Sequence, residues 1–230
     1  MAAFGFVHGA YHGSWCWEGV AADLRRRGHD VAYVDLPSED PTAGAVEYAR
    51  VAVHCFDSLG DDLIVVGHSL GGLTLPIIAS HRPVKKFAFI CAMLPRVGRS
   101  HRDAEAEEPD MFLPSPPGGT IRTAQGMTIY KPEYAVDRFF SDCPKSAAIA
   151  AASRLRGQCW KILQEVCPLE KWPDIPSVYF LGTKDRVLNP SWARRVVPRV
   201  LNIDPIELEV PHAAFLAAPS LVADMLEAEA

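Results

Sequence analysis

The sequence predicts an α/β fold: a mainly parallel sheet of about six strands, helices on both faces, and an inserted helical lid. Three observations lead there. Short apolar runs alternate with stretches of helical periodicity. Those runs are almost continuously apolar, as in strands covered on both faces. The alternation breaks once, after the fourth strand, and then resumes near the end.

Residues 2–7 (AAFGFV) form the first apolar run, ending at His8-Gly9. Ser14 caps a predicted helix carrying Trp15, Trp17, Val20, Ala21 and Leu24, with Gly28 as its stop. Residues 30–36 read as a second strand. Residues 42–59 place Val46, Ala49, Val53 and Phe56 at helical spacing, and Gly60 ends them. A third strand covers 62–66, a helix 70–80 and a fourth strand 84–92. After the break come a strand at 177–181, a helix at 190–197, a strand at 203–210 and a closing helix at 219–229 that starts on proline. Residues 95–130 are rich in proline and acid, and 132–140 and 144–156 look like two helices. The expected organisation is a core of 1–94 and 170–230 with a lid of 95–169, and no internal repeat is visible.

Composition narrows the function. With 230 residues, 49% of them hydrophobic and 22% charged, wholesale disorder is excluded. The net charge of −5, with no basic stripe interleaved with aromatics, argues against nucleic acid. The longest strongly apolar run, Phe87 to Leu94, falls far below the ~20 residues of a membrane span. No basic segment followed by an apolar one opens the chain, so a cytoplasmic location is expected. The six cysteines, at 16, 55, 91, 143, 159 and 167, form no C-x-x-C pair, and no histidine pair has zinc-ligand spacing. Reduced thiols, no metal and no organic cofactor are expected.

One motif carries chemistry. Gly67-His68-Ser69-Leu70-Gly71 is a G-x-S-x-G sequence between a predicted strand and helix. A sharp turn there lifts the serine above the sheet edge and sets the next N–H, that of Leu70, at a helix start where it can donate to an oxyanion. A serine hydroxyl needs a base, and the base needs an orienting acid. Asp185 follows the strand at 177–181 and His212 follows the strand at 203–210, both at carboxyl ends where sites of open sheets gather. His54 lies within a predicted helix and His81 just beyond one, while Asp174 and Asp204 lie at the wrong sheet edge. The catalytic candidates are therefore Ser69, Asp185 and His212. The loop after the first strand supplies a second oxyanion donor, for which the Ala10 N–H is chosen, and its His8 and Gly9 are substrate-binding candidates. Trp15 and Phe215 flank these loops as pocket candidates. Met111, Phe112, Leu113, Met127, Phe139 and Phe140 could line the pocket from the lid or pack the lid down.

The string from His8 to Trp17, followed by Gly67-His68-Ser69-Leu70-Gly71-Gly72, resembles the α/β-hydrolase superfamily. More narrowly it is similar to the branch of plant methyl esterases, hydroxynitrile lyases and bacterial relatives, with a bacterial look. That resemblance covers the two core portions, is vague across the lid, and implies a cap at the observed break. The two leading strands of longer members have no counterpart before residue 2. The similar hydroxynitrile lyases carry threonine where Gly9 stands and lysine where Ala213 stands, so the resemblance favours the esterases. Val210-Pro211 before His212 departs from the usual Gly and Asp. The expectation is a serine esterase acting on small to medium apolar esters, with a small-molecule partner and at most a second copy in a homodimer. A lyase or C–C hydrolase on the same triad, and a non-hydrolytic receptor, are the rivals.

Overall fold

The computed structural model describes residues 1–230. In chain order the first half holds β1 (Ala3–Val7), α1 (Glu18–Arg26), β2 (Asp30–Tyr33), α2 (Ala45–Cys55), β3 (Leu63–His68), α3 (Leu75–Ile78) and β4 (Lys86–Ile90). The middle holds α4 (His101–Glu107), β5 (Thr120–Arg122), β6 (Thr128–Tyr130), α5 (Pro132–Phe139), α6 (Lys145–Ser153) and α7 (Lys161–Gln164). The chain closes with β7 (Ser177–Gly182), α8 (Pro190–Leu201), β8 (Ile206–Leu208), α9 (Ala214–Ala217) and α10 (Pro219–Ala228).

Six strands form one sheet in the order β2-β1-β3-β4-β7-β8, every pair parallel. Because side chains alternate across a strand, each strand feeds two cores. Val65, Phe87, Phe89, Tyr179 and Leu181 point to the face covered by α2, α3 and α8, where Tyr48 and Trp192 lie. Ile64, Val66, Ala88, Ile90 and Phe180 point to the face covered by α1 and α10, against Trp17, Leu24 and Leu226. Burial on both faces is why these strands read as unbroken apolar runs. No helix is long and apolar enough to cross a membrane.

Local chemistry shortens several expected elements. The helix expected from Ser14 begins as a 3₁₀ turn, Ser14–Trp17, before α1; Gly13 holds its cap position, and the Ser14 N–H donates to Asp35 instead. Thr42 turns back onto the Asp40 carboxylate through both its N–H and its hydroxyl, so α2 starts three residues later, with Glu47 holding the Gly44 N–H at 2.8 Å. The helix expected at 70–80 is a 3₁₀ turn, Ser69–Leu73, followed by α3. The last strand shrinks to three residues at the sheet edge, after Asp204-Pro205, because proline cannot donate to a ladder.

Residues 95–169 are more structured than the two expected helices. They add α4, whose Ser100 hydroxyl accepts the Asp103 N–H, and α7. They also add the antiparallel hairpin β5–β6, turned at Gly126 with φ 82°. Three-residue strands that are mostly exposed leave no hydrophobic period, so the hairpin has no sequence signature. The segment shares both cores: Met111, Ile162 and Leu163 join one, and Tyr130, Phe139 and Phe140 the other.

Phe87 is fully buried between β3, β7 and the helices of its face. Phe87→Ala should lower the unfolding free energy by about 3–5 kcal/mol, read from urea titration with an unchanged m-value.

Candidate active site

Three carboxyl-end loops meet above the centre of the sheet. The first is the turn after β3. Ser69 sits there with φ 50°, a left-handed conformation that costs a non-glycine residue about 1–2 kcal/mol. The turn is clamped on both sides. The Met93 N–H, beyond β4, donates to the Ser69 carbonyl at 2.9 Å. On the other side, a Cβ at Gly71 would lie 2.6 Å from the His8 carbonyl oxygen and 2.7 Å from that of Val7, so only glycine lets the turn press against the end of β1. Leu70 is the second residue of the 3₁₀ turn, where no earlier carbonyl within the helix can accept its N–H.

The second and third loops follow β7 and β8. The His212 Nδ1–H donates to Asp185 Oδ2 at 2.7 Å, with both side chains 3% exposed. The other carboxylate oxygen, Oδ1, accepts the N–H groups of Val187 at 2.7 Å and Leu188 at 3.0 Å. Three donors thus fix the Asp185 carboxylate, and His212 keeps Nε2 as its acceptor. A further bond ties this loop to the serine turn: the His68 Nε2–H donates to the His212 carbonyl at 3.0 Å.

Ser69 and His212 open onto one cavity of about 160 Å³, with Ala10 and Leu70 on its wall. Most of the lining is apolar and includes Met93, Phe112, Phe139, Trp160, Leu163 and Val187. The sequence-predicted nucleophile, base and both oxyanion donors therefore share one wall, and the predicted acid stands directly behind the base.

Other expected residues lie elsewhere. Trp15 does not line this cavity; it stacks on the His12 ring at 5.5 Å and carries the Arg154 guanidinium 4.8 Å above its face. Phe215 is a core residue packed against Trp17 and His68. His8 is wholly buried and spans β1 to the chain after β2, its Nδ1–H donating to the Gly9 carbonyl and its Nε2 accepting the Leu36 N–H. Gly9 is required for close approach, since a Cβ there would lie 2.8 Å from both His68 Nδ1 and Ser69 Cβ. Of the apolar candidates at 95–169, Phe112 and Phe139 line the cavity, while Met111 and Phe140 are fully packed into the cores. Leu113 and Met127 stand outside the lining.

Sequence reasoning missed Tyr11, His12, Ser115, Tyr130 and Arg138, all of which line the cavity. Tyr11 and His12 adjoin Ala10 in the chain, so their position was a readable signal. The other three come from residues 115–138 and carry no local mark. Cys91, Asp185 and His212 bring ligand-type atoms within 4.8 Å of one another. Within that trio Asp185 and His212 already satisfy each other, and burial pushes the Cys91 thiol upward, away from the thiolate a metal prefers.

The parallel sheet, covered by helices on both faces and carrying a strained serine in the tight turn after its third strand, defines a doubly covered α/β protein. The chain belongs to the alpha/beta hydrolase family, whose model matches residues 6–225. Among curated relatives, the probable esterase PIR7A of Oryza sativa is 36% identical over 129 residues, covering 49% of this chain and 49% of the relative, so the chain matches about half of that protein's length. Methylesterase 18 of Arabidopsis thaliana is 27% identical over 212 residues, covering 81% of each. Among solved structures, polyneuridine aldehyde esterase superposes with a TM-score of 0.80 at 20% identity, covering 100% of this chain and 99% of that one. This last likeness is one of fold.

Burial governs the remaining histidines of the site. It lowers His8 to about 4 and His12 to about 3, each below the ordinary 6.5. His8 accepts the Leu36 N–H at Nε2, which requires the neutral ring, whereas His12 only donates, Nδ1–H to the Ala10 carbonyl at 2.8 Å, and burial is what holds it neutral. The unfolded chain takes up these protons near pH 6.5, and the folded protein refuses them until about pH 4 and 3. Stability is therefore full above pH 6.5 and falls as pH drops. At pH 5 each histidine should remove about 2 kcal/mol. Urea unfolding at pH 7 and pH 5 checks this; equal stabilities would show that these rings charge freely when folded.

Proposed function

We infer that the protein is a serine carboxylesterase-like hydrolase working through an acyl-enzyme, with Ser69 as nucleophile, His212 as base and Asp185 as the acid that orients it. The observation that carries the reading is the buried Asp185–His212 bond, whose imidazole opens onto the same cavity as a serine held at φ 50°. His212 takes the Ser69 proton as Ser69 attacks the ester carbonyl. The N–H groups of Leu70 and Ala10 receive the developing oxyanion, one such donor typically being worth about 3 kcal/mol in the transition state. Asp185 holds His212 in the Nδ1–H tautomer and stabilises the imidazolium. His212 then returns the proton to the leaving alcohol, and water repeats the cycle on the acyl group. The curated relatives named as esterases support this chemistry. Residues 95–169 act as a lid over the 1–94 and 170–230 core, since Phe112, Tyr130, Phe139 and Trp160 roof the cavity. A cavity of about 160 Å³ suits compact esters better than long acyl chains.

A fluorophosphonate probe should label the protein once, at Ser69, and Ser69→Ala should abolish both labelling and ester turnover. A folded protein that takes no label would defeat the acyl-enzyme reading. Asp185→Asn should reduce kcat by about 10⁴-fold by releasing the imidazole tautomer. Near-normal turnover in that variant would assign the acid elsewhere.

A further inference from the structure

The catalytic cavity has one polar corner. Arg138, on α5, is the single cation of its lining, and its guanidinium is half buried there. Three N–H groups are committed to backbone carbonyls: Nη1 donates to Pro114 at 2.9 Å and to Arg186 at 2.6 Å, and Nη2 donates to Leu113 at 2.8 Å. A guanidinium has five N–H groups, so Nε–H and one hydrogen of Nη2 remain. Its charge has no partner. Arg186 reaches Asp142 at 3.8 Å and Arg195 reaches Asp110 at 2.9 Å, yet no carboxylate lies within 4.0 Å of Arg138. Asp185, behind the cavity wall, is already held by its three donors.

Two hydroxyls complete the corner. Ser115 follows Pro114, whose carbonyl Arg138 binds, and its Oγ stands 3.2 Å from the Tyr130 hydroxyl. Ser115, Tyr130 and Arg138 all line the cavity. Withdrawing an unpaired cation from water is unfavourable, and placing it in an apolar cavity beside two hydroxyls gives an anion what water would otherwise supply.

We propose that Arg138, Ser115 and Tyr130 form a carboxylate-recognising subsite, so that the favoured substrates are compact esters bearing a second, ionised acid group, such as monoalkyl esters of short dicarboxylic acids. This deepens the esterase reading and rests on it for turnover. It also changes the expected substrate: an apolar, uncharged ester leaves the guanidinium unpaired, whereas an acidic one compensates it. No atom of the corner takes part in bond making, so Arg138 determines specificity and is not a catalytic residue.

The experiment has a kinetic and a binding arm. Kinetically, kcat/KM is compared for monomethyl and dimethyl esters of malonic, succinic and glutaric acids at neutral pH. At the best-fitting length the acidic ester should be preferred about tenfold, and added salt should erode the preference. In Arg138→Met the ratio of acidic to neutral kcat/KM should fall at least tenfold, and Arg138→Lys should restore part of it. A purely structural bridge between α5 and the loops at 113–114 and 186 would depress both esters and leave the ratio unmoved. A wild-type preference for the neutral diesters, or an unchanged ratio in Arg138→Met, overturns the proposal. The binding arm uses Ser69→Ala and calorimetric titration with monomethyl and dimethyl glutarate. Tighter binding of the monoester supports the subsite even if no ester is turned over, an outcome that would sink the hydrolase reading alone. Equal binding overturns the subsite while leaving the hydrolase reading intact.

Discussion

Everything at the carboxyl edge of the sheet depends on one strained turn. Ser69 occupies a left-handed backbone region that its own side chain disfavours, and it stays there because the neighbours leave no alternative. On one side the Met93 N–H grips its carbonyl from beyond β4. On the other, Gly71 lies flat against the carbonyls ending β1. The strain is small beside the burial of the strands that impose it, for β1, β3 and β4 are packed on both faces over nearly their whole length. The sheet thus holds in place a geometry that an isolated loop would relax.

The surrounding polar groups extend that rigidity. His68 joins the serine turn to the His212 carbonyl, His8 joins the end of β1 to Leu36, and Asp185 ties the His212 ring to the start of the loop after β7. Most of these partners are backbone groups and imidazole nitrogens, which bonds can satisfy inside a dry core far more readily than charges. The same dryness explains why the one unpaired cation in the cavity stands out. Several arginines meet carboxylates, as Arg194 does with both oxygens of Glu207, while Arg82, outside the cavity, bonds carbonyl oxygens alone. Arg138 meets only carbonyl oxygens.

Legibility followed period and motif. β1, β3, β4, β7 and α10 could be read because they are long enough to carry an unbroken apolar run or a helical repeat, and the serine turn because its glycines are dictated by close approach. The hairpin β5–β6 could not, since strands of three mostly exposed residues bear no repeat. Trp15 and Phe215 were misread as pocket walls because adjacency to a reactive loop says nothing about which way a ring points; in the fold one stacks on His12 and the other fills the core.

The sequence alone determined the α/β layering and the order of Ser69, Asp185 and His212 along the chain, because strand periodicity and turn chemistry are local properties. It determined the two glycines at the elbow for the same reason. Only the tertiary structure decided that Asp185 bonds His212, 27 positions further along the chain, and that Ser115, Tyr130 and Arg138 converge on one corner of the cavity. Such convergence depends on how residues 95–169 pack onto both faces of the core, and no local pattern records the direction in which a side chain meets a distant one.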